Sequence, residues 1–156
     1  MINRISSALL KIITIKLSVY LFKKLIMIKS KEDFINKIHL IISVLIVVPV
    51  SFVYGFNPDS QFDIHLNTID EHSFFKAIMG LYLGFSIVWI LGIFKANYLK
   101  LALITNLIFM LGLGFGRLLS LWIDGTPTFG YLFGTFAELF LGFYSVWLLS
   151  KFNKKP

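Results

Sequence analysis

The chain has 156 residues, of which 57% are hydrophobic and 15% are charged, and its formal net charge is +7. A soluble domain of this length carries about 25% charged residues, so the composition indicates a protein that lies largely in lipid. The absence of cysteine excludes disulfides, thiol catalysis and cysteine-ligated metals, and the length suits one domain.

The excess positive charge lies in a basic N-terminal extension, residues 1–31. Its seven basic residues are accompanied by no acidic residue: Arg4, Lys11, Lys16, Lys23, Lys24, Lys29 and Lys31. Charge confined to one end beside an apolar segment indicates a topology signal or contact with anionic lipids rather than nucleic-acid binding. Alternation of apolar and polar residues from Ile13 to Leu21 is the period of a β-strand. Translation from Met27, which would remove most of the extension, stays an open alternative.

Four apolar runs follow the extension, at about residues 38–54, 74–94, 99–123 and 129–150. A bilayer core of about 30 Å requires about 20 residues of helix, which three of the runs exceed. The first run is shorter and contains Pro49, which membrane helices tolerate. The sequence therefore predicts an all-α fold, a bundle of four transmembrane helices over residues 38–150.

The connections between these runs alternate in charge. The first loop contains four acidic residues and no lysine or arginine: Asp59, Asp63, Asp70 and Glu71. The second loop has Lys95 and Lys100, and the third has Asp124. The tail has Lys151, Lys154 and Lys155. Basic loops stay in the cytoplasm. We therefore predict that both termini and the second loop are cytoplasmic, and that the first and third loops are external.

The third run has a polar and small face opposite a bulky face. On a helical wheel, Asn106, Ser120 and Asp124 lie on the side of Arg117, together with Gly112 and Gly116. The opposite side carries Ile104, Ile108, Leu111, Phe115, Leu118 and Trp122. This division predicts that the polar face contacts other helices and that the bulky face contacts lipid.

The fourth run repeats the pattern around Glu138. Its polar side includes Gly130, Tyr131, Gly134, Thr135, Gly142 and Ser145, and its bulky side includes Phe136, Phe140, Phe143 and Trp147. Three runs contain glycine pairs at four-residue spacing: Gly80/Gly84, Gly112/Gly116 and Gly130/Gly134. Such pairs let helix backbones approach closely, so we predict that these six glycines pack helices together.

The depths of two charged residues place them near each other. Arg117 lies about 9 Å below Ile123, and Glu138 about 14 Å below Phe129, at the helical rise per residue. Because helical side chains lean toward the N-terminus of their own helix, the two converge. We predict a buried Arg117–Glu138 ion pair in the outer half of the membrane, with Lys76 joining Asp124 or Glu71. The pair either fixes helix register or forms a ligand, ion or proton site.

Other chemistry is weakly represented. His65 and His72 with the neighbouring acidic residues match no zinc spacing, and we expect a solvated acidic loop there. His39 is expected at the membrane interface. No nucleophile elbow, phosphate-binding loop or HExxH motif is present. We therefore predict no catalytic residue, metal or cofactor.

Four segments resemble one family of bacterial membrane proteins. They are YGFNPD (54–59), KAIMGLYLGF (76–85), GRLLSLWIDGTP (116–127) and AEL (137–139). They are similar to the family called domain of unknown function 4345, over about residues 39–149. The resemblance implies a small four-helix bacterial membrane protein, carries no activity, and extends at the level of fold to DoxX-like proteins.

Three functions follow as hypotheses for a multi-pass protein of the bacterial cytoplasmic (inner) membrane. The first is a non-enzymatic protein that binds or moves a small solute, ion or lipid through Arg117, Glu138, Lys76 and Asp124. The second is an interaction subunit in which these charges only lock helices. The third is a membrane enzyme. The sequence favours it least, because no spacing joins a nucleophile to a base. The expected partners are the lipid bilayer and a homo-oligomer, with no nucleic acid and no soluble partner.

Overall fold

The computed structural model describes residues 12–13, 15–20, 31–62 and 64–152. Those residues form helices and short connections, with no strand among them. From residue 31 onward the helices are α1 (Lys31–Phe56), α2 (Asp59–Phe62), α3 (Ile69–Phe94), α4 (Ala96–Ile123) and α5 (Phe129–Phe152). The predicted all-helical fold with four long apolar helices is confirmed.

Four of these helices are long and apolar enough to cross a membrane. The segments are Asp33–Phe56, Ile69–Phe94, Ala96–Ile123 and Phe129–Lys151, the shortest with 23 residues. A helix of that length extends over about 34 Å, more than the roughly 30 Å of a bilayer core. Helices α1, α3 and α4 begin before the apolar runs that predicted them, because polar residues at their N-terminal ends continue the helix.

The start of α3 shows why the helix extends beyond its apolar run. The hydroxyl of Thr68 accepts a hydrogen bond from the Glu71 backbone N–H at 3.2 Å. In return the Glu71 carboxylate accepts hydrogen bonds from the backbone N–H groups of Asn67 and Thr68. This reciprocal arrangement is a capping box, which satisfies N–H groups that the first turn leaves unpaired. The Thr-x-x-Glu spacing of residues 68–71 is the sequence signal for this helix start.

The period-two pattern from Ile13 to Leu21 does not correspond to a strand in the described residues. Residues 12, 13 and 15–20 are helical. A strand needs a neighbouring strand for its backbone hydrogen bonds, whereas a helix satisfies them within itself. The described residues contain no strand that could pair with it. Most other residues of the basic extension lie outside the described ones.

The chain divides into two units, Met1–Ile87 and Val88–Pro156, with the boundary inside α3. In the first unit, the ring of Tyr54 on α1 lies 6.0 Å from Phe75 and 5.8 Å from Tyr82, both on α3. Gly55 packs against the side chain of Met79. These contacts hold α1 beside the first half of α3. The predicted division into an extension, 1–31, and a membrane domain, 38–150, stays a prediction.

In the second unit, α4 and α5 form an antiparallel hairpin whose contact depends on two glycines. A Cβ placed on Gly114 would lie 2.7 Å from Cδ2 of Leu139, and one on Gly142 would lie 3.2 Å from the backbone nitrogen of Leu111. Each helix therefore inserts a leucine over a glycine of the other. The end of α3 adds a third close approach, at Gly92 against Ala102.

The predicted glycine pairs do not make this contact. A Cβ on Gly80, Gly84, Gly112, Gly116 or Gly130 would meet no heavy atom of its own unit within 4 Å, and one on Gly134 would meet only Arg117. Four-residue spacing places two glycines on one face but does not say which leucine faces them. A role for these six residues in other helix contacts stays a prediction.

We expect Gly142→Ala to destabilise the hairpin by about 1–3 kcal/mol, since the new methyl group overpacks against Leu111. The matched control is Gly112→Ala, which places its methyl in open space and raises helix propensity by up to about 1 kcal/mol. Thermal unfolding in detergent measures both. Equal melting temperatures for the two variants would show that the glycine–leucine contact does not hold the helices together.

Candidate functional site

The predicted ion pair between α4 and α5 is present. Nε of Arg117 lies 3.0 Å from Oε2 of Glu138, and the two side chains retain 21% and 14% of their exposure. The pair is therefore partly rather than fully buried in this chain. Its geometry follows from the helix directions: antiparallel helices whose side chains lean toward their own N-termini bring these two groups together.

One face of α5 shapes the surroundings of Arg117. Tyr131, Gly134 and Glu138 recur at three- and four-residue spacing, so they lie along the same side of the helix. Cζ of Arg117 lies 5.1 Å from the centroid of the Tyr131 ring, within cation–π range. A Cβ on Gly134 would lie 3.7 Å from Nη1 of Arg117, so the glycine leaves room for the guanidinium. The helical wheel placed Tyr131 on this side but did not predict its contact with Arg117.

One carboxylate oxygen of Glu138 lacks a hydrogen bond. Oε2 of Glu138 is buried and receives no well-aligned hydrogen bond, although the Arg117 nitrogen is at ion-pair distance. The two groups attract each other electrostatically at this distance, because that attraction tolerates an angle at which a hydrogen bond does not form. The contact is thus an ion pair with directional bonding capacity left on the carboxylate.

Asn106, predicted on the same stripe as Arg117, makes a different contact. The Ser145 hydroxyl donates a hydrogen bond of 2.9 Å to Oδ1 of Asn106, and both residues are fully buried. Asn106 lies about 16 Å along α4 from Arg117 at the helical rise. The bond is a separate polar link between the two helices, deeper in the hairpin. The sequence placed both residues on polar faces without pairing them.

Ser120 and Asp124 belong to the end of α4. The Ser120 hydroxyl donates to Oδ2 of Asp124 at 2.8 Å, and the Asp124 backbone N–H donates to the Ser120 carbonyl at 2.7 Å. Gly125 follows with a φ of 103°, a conformation that favours glycine after a helix end. Both polar residues are exposed. They terminate the helix, and the structure does not bring them to Arg117.

Lys76 and the residues of the first loop belong to the first unit. Lys76 is exposed, belongs to the first unit and forms no ion pair among the described residues. Its predicted contact with Glu71 is absent there, because the Glu71 carboxylate caps α3. No group of three histidine or acidic residues in the described part of the chain is arranged to hold a metal. His39, expected at an interface, is fully buried.

The bulky faces predicted to contact lipid are exposed. The exposed side chains include Ile104, Ile108, Phe115, Leu118 and Trp122 on α4, and Phe136, Phe140, Phe143 and Trp147 on α5. Leu111 is the exception, since it is partly buried over Gly142. Hydroxyl groups of buried serines and threonines donate hydrogen bonds to backbone carbonyls of their own helix, as Ser86 does to Tyr82 and Thr135 to Tyr131. Polar groups are thus satisfied within the helices, which an apolar surrounding requires.

Comparison with known families agrees with the sequence motifs. A family model described as Domain of unknown function (DUF4345) matches residues 35–149. Neither a curated protein nor a solved structure matches the chain. The match covers the Arg117–Glu138 pair, the Asn106–Ser145 bond and all four long apolar helices except their outermost residues.

We expect Ser145→Ala to destabilise the hairpin by about 1–3 kcal/mol, since it removes the hydroxyl donor from buried Asn106. The matched control is Ser150→Ala on the same helix, whose exposed hydroxyl bonds only to the Trp147 carbonyl. Thermal unfolding in detergent distinguishes the two substitutions. A Ser145→Ala protein as stable as the control would remove this bond from the interactions that fix the hairpin.

Proposed function

The chain belongs to the family described as Domain of unknown function (DUF4345), and we propose that it is a multi-pass protein of the bacterial cytoplasmic membrane. In this proposal it binds or moves a small solute, ion or lipid without catalysis. The binding site is the Arg117–Glu138 pair. The observation that carries the proposal is an ion pair set between two apolar helices with both side chains still partly exposed.

The alternation of loop charges supports the proposed orientation in the membrane. Lys95 and Lys100 lie at the start of α4 and are exposed, while Asp124 lies at its other end. With basic residues retained in the cytoplasm, α4 runs outward and α5 returns inward. Arg117 and Glu138 then lie in the outer half of the membrane, where a solute from the external side has the shorter path to them.

Helix register supports a binding role over a purely structural one. The Asn106–Ser145 hydrogen bond and the two glycine–leucine contacts already define how α4 sits on α5. The ion pair is not needed to define it again. Ionisable groups inside membrane segments are costly, and they mark ligand, ion or proton sites by default.

The second candidate function is a non-catalytic interaction subunit in which the same pair is structural. One observation favours it: Arg117 is held by two residues of the partner helix, Glu138 through charge and Tyr131 through its ring. A residue clamped in this way links α4 to α5. The two functions differ in what removing one charge costs, so stability decides between them.

We expect Arg117→Gln and Glu138→Gln each to reduce stability by at most about 1 kcal/mol, the usual contribution of a partly exposed ion pair. A structural lock predicts instead a loss of about 3–5 kcal/mol, because one charge is left buried and unpaired. Unfolding in detergent and accumulation in membranes measure the difference, with exposed Lys16→Gln as the charge-removal control.

The double variant Arg117→Leu, Glu138→Leu completes this test. If both single variants fail to accumulate and the double variant restores the level, the pair is a lock and the binding function is wrong. If all variants accumulate, native mass spectrometry from mild detergent should show a bound small molecule on the unaltered protein that both single glutamine variants lose.

Because the natural chain has no cysteine, single introduced thiols map the proposed topology without background labelling. We expect Ser60→Cys and Thr126→Cys to react with a membrane-impermeant maleimide in intact cells. We expect Asn97→Cys, in the first turn of α4, to react only after lysis. All three positions are exposed, so burial does not limit the reaction. Labelling of Asn97→Cys in intact cells would reverse the orientation.

A further inference from the structure

Two lysines at one end of the α4–α5 hairpin are held by aromatic rings instead of carboxylates. Nζ of Lys151 lies 3.5 Å from the centroid of the Trp147 ring, and Nζ of Lys95 lies 5.8 Å from that of Tyr98. Lys100 is exposed nearby on α4. These five residues, Lys95, Tyr98, Lys100, Trp147 and Lys151, are named the basic end.

The antiparallel register brings the members of the basic end to the same end of the hairpin. Asn106 meets Ser145, Leu111 meets Gly142, and Gly114 meets Leu139, so residue numbers rise on one helix as they fall on the other. Continued to the end of α5, this register places Lys151 opposite residues 100–102 of α4. Lys100 and Lys151 therefore lie within about one helical turn of each other along the hairpin axis.

The positive charge of the basic end is not neutralised by an ion pair within the described residues of the second unit. Arg117 is paired with Glu138, and Lys37 in the first unit is paired with Asp33 at 2.8 Å. The second unit contains two acidic residues, Asp124 and Glu138, and both lie toward the other end of the hairpin. A ring face orients an ammonium group without cancelling its charge. Lys95 and Lys151 are thus positioned for an anion.

An exposed aromatic stripe leads from the middle of α5 to Lys151. The rings of Phe140 and Tyr144 lie 6.4 Å apart, and those of Tyr144 and Trp147 lie 5.3 Å apart. Phe140 and Trp147 are exposed. From Phe140 to Lys151 the helix rises about 16 Å, close to half of the roughly 30 Å hydrocarbon thickness of a bilayer. An apolar stripe one leaflet long is complementary in shape to an acyl chain, and the cation at its end is complementary in charge to a headgroup phosphate.

We propose that the basic end is a binding site for an anionic phospholipid, whose headgroup phosphate contacts Lys151 and Lys95 and whose acyl chain lies along Trp147, Tyr144 and Phe140. The lipid comes from the cytoplasmic leaflet of the membrane that holds the protein. This inference rests on the proposed membrane location but not on a ligand at Arg117 and Glu138.

The test reconstitutes the full chain in nanodiscs of equal parts phosphatidylglycerol and phosphatidylcholine, followed by native mass spectrometry of the lipids that remain bound in mild detergent. The unaltered protein retains phosphatidylglycerol preferentially. Lys151→Gln reduces the preference about fivefold, the effect of about one basic residue at an anionic surface. Lys151→Arg keeps the preference, since it keeps the cation over Trp147.

Two control substitutions separate the site from general charge and general aromaticity. Lys37→Gln removes a lysine whose charge Asp33 already balances, and it leaves the preference unchanged. Trp147→Leu lowers lipid retention. Trp122→Leu, which alters an exposed ring at the other end of the hairpin, does not. The proposal is overturned if the unaltered protein retains both lipids equally, or if Lys151→Gln behaves like Lys37→Gln.

Two further measurements identify the source of failure. Inorganic phosphate added at the same concentration as the lipid leaves phosphatidylglycerol bound, because it offers nothing to the aromatic stripe. Displacement by phosphate alone would reduce the site to a simple anion site and overturn the lipid proposal. Arg117→Gln keeps the lipid preference whether or not the Arg117–Glu138 pair binds a ligand, so the two proposals fail independently.

Discussion

The close approach of α4 and α5 is the constraint on which the other features of the second unit depend. Leucines of each helix lie over glycines of the other, and no larger residue fits at Gly114 or Gly142 without displacing a neighbour. In an apolar surrounding there is no hydrophobic gain from burying one apolar side chain against another, so tight packing and internal hydrogen bonds supply the attraction. The two glycines make that packing possible.

The same approach determines which polar groups meet. Asn106 reaches Ser145 on one side of the glycine contacts, and Arg117 reaches Glu138 on the other. A shift of one residue between the helices would separate both pairs. Fully buried Asn106 and Ser145 satisfy each other, while the partly exposed ion pair keeps unused acceptor capacity on Glu138. The buried Asn106–Ser145 bond stabilises the hairpin, and the partly exposed Arg117–Glu138 pair is the better candidate for binding.

Charge divides the hairpin into chemically different ends. At the external end of the proposed topology, Asp124 closes α4 through Ser120 and leaves large apolar side chains, Trp122 and Phe129, exposed around a short loop. At the other end, lysines lie over aromatic rings, and both acidic residues of the second unit lie away from them. Aromatic residues at both ends suit the water–hydrocarbon interfaces, where an amphipathic ring is favoured.

The sequence by itself determined the helical class, the four long apolar helices, the polar face of each hairpin helix and the family. These follow from composition, three- and four-residue periodicity and short motifs, all of which are local. It also predicted the Arg117–Glu138 pair, because antiparallel direction and side-chain lean need no detailed packing. A local pattern was misleading near the N-terminus: the alternation from Ile13 has the period of a strand, but the described residues there are helical.

Only the tertiary structure decided which residues actually touch. Glycine spacing favoured Gly112 and Gly116, yet the helices meet at Gly114 and Gly142, because the position of a leucine on the opposite helix selects the contact. Within the second unit, the polar residues of the two helices form three contacts: Arg117 with Glu138, Asn106 with Ser145, and Ser120 with Asp124. A helical wheel gives direction around an axis, but the register between two helices is a property of both, and no single helix encodes it.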